Sequence, residues 1–541
     1  MGEVLDTALY YNYTLSLQLT TVKDNNVAMG EDIAAQTSNA ATFASTAPSD
    51  RTGPTGKLCN WTHSLTLSQV PKEVQERAKY LILDGIACAL LGAHLPWSET
   101  AAKPIFEMES SGPCSVFGWG RTLGPLAAAL LNSTFIQGFE LDDYHSEAPL
   151  HSNAILLPAI LAAAEFSDST RSSQSKLSID GGAFLLAAIV GYEIGPRSQR
   201  TSYTIPGLAL RNRLCPSASA AAVSKLLGLG PNQIEDALGT ACTQACGLMS
   251  AQYESMAKRM QHGFAARNGL FAALMSQGGY TGIQRVYERP YGGFLATFSQ
   301  GSGKIPQYKE DELVADLGVK WQTSKIRVKP YAAMATTHPV IECIAVLQTC
   351  HPLTLYRSDD NLSMISSVRL EMSEAAYKHG GFPVIRPVTA TGAQMSASYI
   401  AALQLVDGHV LPSQFRASLL DRDNVWAMVA KTSCVHTAAF DDEPWHQRVT
   451  ITMSNGQKLV KFLEAPKGVR PGLTNKDILD KWRAVTQGVI DSERQEKIEN
   501  LVLGLETVPN VASKLRALLQ GWTGNPIRES ERVDRTLSAL L

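Results

Sequence analysis

Residues 138–165, GFELDDYHSEAPLHSNAILLPAILAAAE, place Glu140, Asp142, Asp143, His145, Glu147 and His151 directly ahead of an apolar run, Ala154 to Ala164, interrupted only by Pro158. Any fold must bury that run, and burying it brings four carboxylates and two imidazoles to the edge of a core. Charges there cost free energy unless they are paired or used, so the cluster reads as a satisfied polar network or as a site. The plainer alternative is a solvated loop that caps a helix.

At 541 residues the chain exceeds one compact core, and two large domains are expected. With 48 basic and 50 acidic residues and a formal net charge of −2, the chain offers no field for nucleic acid or a membrane surface. An anionic ligand would need local cations. The nine cysteines, at 59, 88, 114, 215, 242, 246, 343, 350 and 434, are odd in number and lack zinc spacing, which points to free thiols and no metal. Cys242 and Cys246 lie four apart and are expected on one helix face as packing residues. Residues 1–57 are rich in Ser, Thr, Ala and Asn and carry acids from Glu3 to Asp32, unlike a transit or signal peptide. They read as a disordered or loosely docked extension of a cytoplasmic protein.

From Pro71 the pattern turns helical, with Val74, Ala78, Ile82, Ile86 and Leu90 recurring every four residues. Further helices are expected at 123–135, 154–166, 183–192 and 217–227, several apolar nearly all round, as in the interior of a many-helix domain. None has the eighteen or so apolar residues of a membrane span. The stretch from Asp236 to Tyr280 is helical by composition, and within it Lys258 and His262 share a face with Arg259 and Arg267 nearby. Cations set among Ala- and Gly-rich helices make an anion-site candidate. After residue 320 strands appear: Lys325 to Lys329, Val368 to Met372, and Val449 to Met453 facing Lys458 to Phe462 across Asn455-Gly456, a hairpin signal. Helices are expected at 339–347 and 396–406, and beyond Pro471 the chain is helical again, with Thr474 or Asn475 as a cap.

The phrases PKEVQERAKYLILDGIACALLGA, ELDDYHSEAPLHSNAILLPA, AKRMQHGFAARNGLFAALMSQGGYTG and the segment from Arg386-Pro387 to Gly408 together resemble the MmgE/PrpD superfamily of 2-methylcitrate dehydratases and cis-aconitate decarboxylases. LDDYHSEAPLHS and ACTQACGLMSAQY are similar to the fungal cis-aconitate decarboxylases within it. The resemblance runs from residue 57 to residue 520. It implies a mainly α fold: a large helical domain made of 58–322 and the returning C-terminal helices 467–541, with a smaller α+β lid, 323–466, inserted between them. It also implies a homodimer, no cofactor, and a site between helical domain and lid. The family's acidic and histidine motif falls on Asp142, Asp143 and His151, its helical lysine on Lys258, and its later lysine and histidine on Lys329 and His338, with Tyr331 at an aromatic position. Arg259, Glu140 and Tyr144 rank behind these as substrate-binding candidates.

Residues of these types suit decarboxylation of cis-aconitate or an alkylated relative in secondary metabolism. Fixed cations, Lys258 and Lys329 with Arg259 behind them, would hold the surviving carboxylates. His151 would donate the proton, its tautomer set by Asp142 or Asp143. A dehydratase or hydratase of the 2-methylcitrate type and a catalytically inactive homologue are the competing readings. The departure that bears on them lies between Arg197 and Lys225, a shorter segment with Cys215-Pro216 near the position of a family histidine.

Overall fold

In the computed structural model the described residues are 46–148, 150–170, 179–200, 216–252, 255–300, 303, 305–355 and 357–528. The segment ending at Cys215 and most of the expected extension lie outside them. What is described of the extension is tied down. Ser49 donates from its amide and hydroxyl to Glu235 at 2.6 Å each, and Pro54 opens a helix, α1 (Pro54–Ser64), so the boundary expected at 57 falls inside a helix.

The fold is mainly α. The four-residue apolar spacing after Pro71 becomes α2 (Lys72–Gly92), followed by α3 (Pro96–Met108), α4 (Pro125–Ile136), α5 (Ser152–Thr170), α6 (Gly181–Arg200), α7 (Pro216–Leu226), α8 (Pro231–Cys242) and α9 (Ala257–Gln277). The last of these is central: α4, α5, α7 and α8 all pack against it. Small residues allow the close approach. A Cβ on Gly269 would collide with the Ser219 hydroxyl and the Pro216 carbonyl of α7, and one on Gly92 with the Phe135 carbonyl of α4. Residues 236–280 are not one helix. The α-helix ends at Cys242 and the next begins at Ala257, with a 3-10 turn at Met249–Gln252 between them, so Cys246 is exposed outside α8 rather than sharing its face. Among the described residues no single helix is long and apolar enough to cross a membrane.

Two short antiparallel pairs accompany these helices, β1 (Cys114–Val116) with β2 (Arg121–Leu123), and β3 (Tyr144–His145) with β4 (Ile326–Arg327). The expected strand at Lys325 to Lys329 is thus only two residues long. After it come α10 (His338–Cys350), β5 (Ile365–Met372), α11 (Ala397–Asp407), β6 (Thr432–His436), β7 (Gln447–Met453) and β8 (Lys458–Leu463). These strands form a four-stranded sheet in the order β6-β5-β7-β8, parallel only between β5 and β6. Asn455-Gly456 turns the β7–β8 hairpin: Gly456 takes φ 85°, and the Asn455 side chain accepts the Gln457 amide at 2.9 Å. Along β7 every second residue is buried, and α10 covers that side.

The C-terminal helices α12 (Asn475–Thr486) and α13 (Ser492–Leu503) lie on α2, and α14 (Val511–Leu519) lies on α5. Thr474 caps α12 with a reciprocal pair: its hydroxyl accepts the Asp477 amide at 3.1 Å, and Asp477 accepts the Thr474 amide at 2.9 Å. Two buried lysines fasten these helices to α2. Lys481 meets Asp84 at 2.6 Å, and Lys79 meets Glu506 at 3.1 Å.

Candidate active site

After α4 the chain makes one tight turn, Gln137–Phe139, and Glu140 follows in the left-handed region at φ 54°. Leu141, Asp142 and Asp143 then lead into β3. Antiparallel pairing sets Tyr144 opposite Arg327, and continuing that register by two residues sets Asp142 opposite Lys329. Residues far apart in sequence are thereby aligned by two short strands. The first turn of α9 supplies Lys258 and Arg259 from the other side.

These elements converge on the Glu140 carboxylate. Its Oε1 contacts Lys258 Nζ and lies 2.9 Å from Arg259 Nη1, and its Oε2 lies 3.2 Å from Lys329 Nζ. All three cations are almost wholly buried. Burial, followed by the charges of Arg259 and Lys329, pushes the Lys258 ammonium well below its ordinary range. Burial also lowers Lys329, against the pull of Asp142, and lowers Arg259 to about 10, so the guanidinium remains charged at neutral pH. Because α9 begins here, the positive end of its dipole adds to the same potential. Arg259 is the most firmly held: it also donates to the Gln137 carbonyl (3.2 Å), to Gln394 Oε1 (2.8 Å) and to Thr391 Oγ1 (3.3 Å).

Beside the cations stands His151, just ahead of α5. Its Nδ1 lies 2.8 Å from Asp142 Oδ2, while Asp142 Oδ1 lies 3.7 Å from Lys329. Burial alone would raise Asp142, but His151 and Lys329 hold it below the usual carboxylate range. The His151 side chain keeps 13% exposure against 0% for Asp142, so in this pair the imidazole is the member that a ligand can reach. With Nδ1 engaged, proton exchange falls to Nε2. The edge of the ring meets His262 at a centroid distance of 4.8 Å.

Asp143 faces the other way. Its two oxygens accept the amides of Ser152 and Asn153 at 3.0 Å each, which makes it the cap of α5. Burial and the neighbouring Asp142 and Asp84 carboxylates push it up to about 8, against those two amides. Of the two aspartates, then, Asp142 meets the histidine and Asp143 caps the helix that begins directly after it.

The remaining candidates lie around this centre. His338 opens α10, is fully enclosed, and donates from Nε2 to the Ala333 carbonyl at 3.1 Å; burial lowers it to about 3, so it stays neutral. Tyr331 stands edge-on to it at 5.2 Å, and burial raises its phenol. Tyr144, on β3, packs near Trp445 at 6.3 Å. Two supporting residues, Gln394 and Lys481, carried no signal in the sequence. Gln394 accepts from Arg259 and donates to the carbonyls of Phe139 (2.9 Å) and Ala332 (3.0 Å), which joins the two sides of the site. Lys481 donates to the Leu141 carbonyl at 2.7 Å, next to Asp142 in the chain, while it forms its ion pair with Asp84. Among the described residues no group of three His, Cys, Asp or Glu is arranged to hold a metal ion.

A cavity of about 400 Å³ adjoins Arg259 and is lined by Trp97, Ala101, Ile105, Leu130, Met256 and Met260. The Arg259 guanidinium carbon lies 5.7 Å from the Trp97 ring centroid, within reach of a cation–π contact.

Residues 56–306 match the MmgE/PrpD N-terminal domain and residues 331–507 the MmgE/PrpD C-terminal domain. The chain is 49% identical over 478 residues to the cis-aconitate decarboxylase-like protein oryM of Aspergillus oryzae, covering 86% of this chain and 97% of that one. It is 46% identical over 481 residues to a cis-aconitate decarboxylase of Aspergillus terreus, covering 86% and 96%. The human cis-aconitate decarboxylase is 24% identical over 475 residues, covering 85% and 93%. With both domains matched over most of its length, the chain belongs to the MmgE/PrpD family.

Proposed function

We propose that this protein is a cofactor-independent carboxy-lyase that decarboxylates cis-aconitate or an alkyl-bearing relative to an itaconate-type product. The observation that carries the reading is the convergence of Lys258, Arg259 and Lys329 beside the Asp142–His151 pair. The names of the two Aspergillus relatives support it.

Losing CO2 from the methylene carboxylate leaves an electron pair in an allylic system that spreads into a neighbouring carboxylate. A proton added at the far end of that system completes the product. Lys258, Arg259 and Lys329 hold the surviving carboxylates, where they also stabilise the developing charge. His151 delivers the proton from Nε2 while Asp142 fixes the ring. Tyr331 and His338 line the approach from the segment 323–466, which acts as a lid inserted between 58–322 and 467–541. The enzyme works as a homodimer in the cytoplasm, in secondary metabolism. Incubating the purified protein with cis-aconitate and following proton resonances tests the reaction: vinylidene protons of itaconate are expected, and citrate or isocitrate would indicate hydration instead.

The apolar cavity beside Arg259 favours the alkyl-bearing substrate, because Ala101, Ile105, Leu130 and the two methionines would bury a chain attached near the held carboxylates. Ala101→Phe is expected to lower kcat/KM for a hexyl-substituted cis-aconitate about tenfold more than for cis-aconitate itself, as steady-state rates on both substrates would read. Equal losses would remove the cavity from the substrate site.

A further inference from the structure

Glu140 gathers more of the site than any residue given a catalytic part. Its carboxylate is buried, both oxygens are used, and one side chain joins the first turn of α9 to Lys329, two residues past β4. Gln137 donates to the same Oε1 at 3.2 Å. The backbone beneath is left-handed at φ 54° and ψ 31°, a conformation that a side-chain-bearing residue keeps only where the surroundings impose it. Three cations enclosed this closely repel one another, and burial favours the neutral amine of each lysine.

We propose that Glu140 is a positioning residue, the internal counter-anion that keeps Lys258 and Lys329 protonated and aimed so that they can hold substrate carboxylates. The inference rests on the reading of this cluster as the carboxylate site. The charged groups around it are Lys258 and Arg259 from α9, Lys329 from the strand side, Asp142 with His151, and the Asp84–Lys481 pair; the Cys88 thiol and the neutral His338 ring also act on Lys329. An amine binds an anion while it is protonated, that is, below its pKa. Removing the Glu140 charge lowers the lysine pKa values, so anion binding is lost at a lower pH.

The test is the affinity of the full-length protein for tricarballylate, a saturated tricarboxylate, measured by calorimetry from pH 6 to pH 10. Glu140→Gln is expected to move the alkaline midpoint of binding down by about one pH unit or more and to weaken binding at least tenfold at pH 7.5. Glu140→Asp keeps the charge on a shorter arm and is expected to fall between the two, which keeps the proposal open to test if the glutamine variant does not fold. Folded variants with the wild-type midpoint would overturn it and leave Glu140 a merely structural residue. Failure of the wild type to bind tricarballylate at any pH would overturn the carboxylate-site reading together with it, whereas binding without decarboxylation would count against the reaction alone.

Discussion

His151→Ala is expected to lower kcat on the preferred substrate by about 10²–10⁴-fold, the usual worth of a positioned proton donor, while tricarboxylate affinity changes far less. The split follows from the division of labour in the site. The cations proposed to hold carboxylates come from α9 and from Lys329, and each is paired with Glu140 rather than with the imidazole. The ring itself is fixed at Nδ1 by Asp142 at 2.8 Å, and the other Asp142 oxygen lies 3.7 Å from Lys329. Single-turnover product formation, set beside tricarballylate binding, separates the two effects. A variant that loses binding and turnover in equal measure would make His151 part of the carboxylate site rather than the proton donor.

Lys481→Met is expected to destabilise the protein by about 3–5 kcal/mol, because it leaves Asp84 fully enclosed without its partner. Asp84 and Lys481 lie 2.6 Å apart, with side-chain exposures of 1% and 7%. Burial raises Asp84, whereas Lys481, which burial alone would lower, is raised by the Asp84 charge. The same ammonium donates to the Leu141 carbonyl, so its loss also frees the chain directly before Asp142. The double variant Asp84→Leu, Lys481→Met removes both charges and is expected to recover most of the stability, as apolar replacements of buried pairs do. Thermal unfolding of the two single variants and the double variant reads the coupling. Additive losses would mean that the pair contributes nothing as a pair.

Much of this architecture could be read in the sequence, and physical chemistry explains which parts. The helix from Lys72, the cap at Thr474 and the Asn455-Gly456 hairpin are local: each follows from a periodicity or a turn residue within a few positions. The break between Cys242 and Ala257 was not legible, because Ala, Gly and Met compose helices and small-residue loops alike. Nor was the pairing of Tyr144 with Arg327, since a strand of two residues has no alternation to betray it. In the site, residue types pointed to Asp142 or Asp143 as the partner of His151. Only geometry separates them, by sending both Asp143 oxygens to the first amides of α5. Gln394 is uncharged and Lys481 sits among the alternating charges of an amphipathic helix, so neither stands out from an ordinary solvated face.

The most direct measurement is a proton NMR time course of the wild-type protein with cis-aconitate in D2O. Decarboxylation with a proton delivered at the far end of the allylic system predicts itaconate with two vinylidene protons and a single deuterium on its methylene carbon. Deuterium in the vinylidene group, or citrate or isocitrate in place of itaconate, would contradict the account.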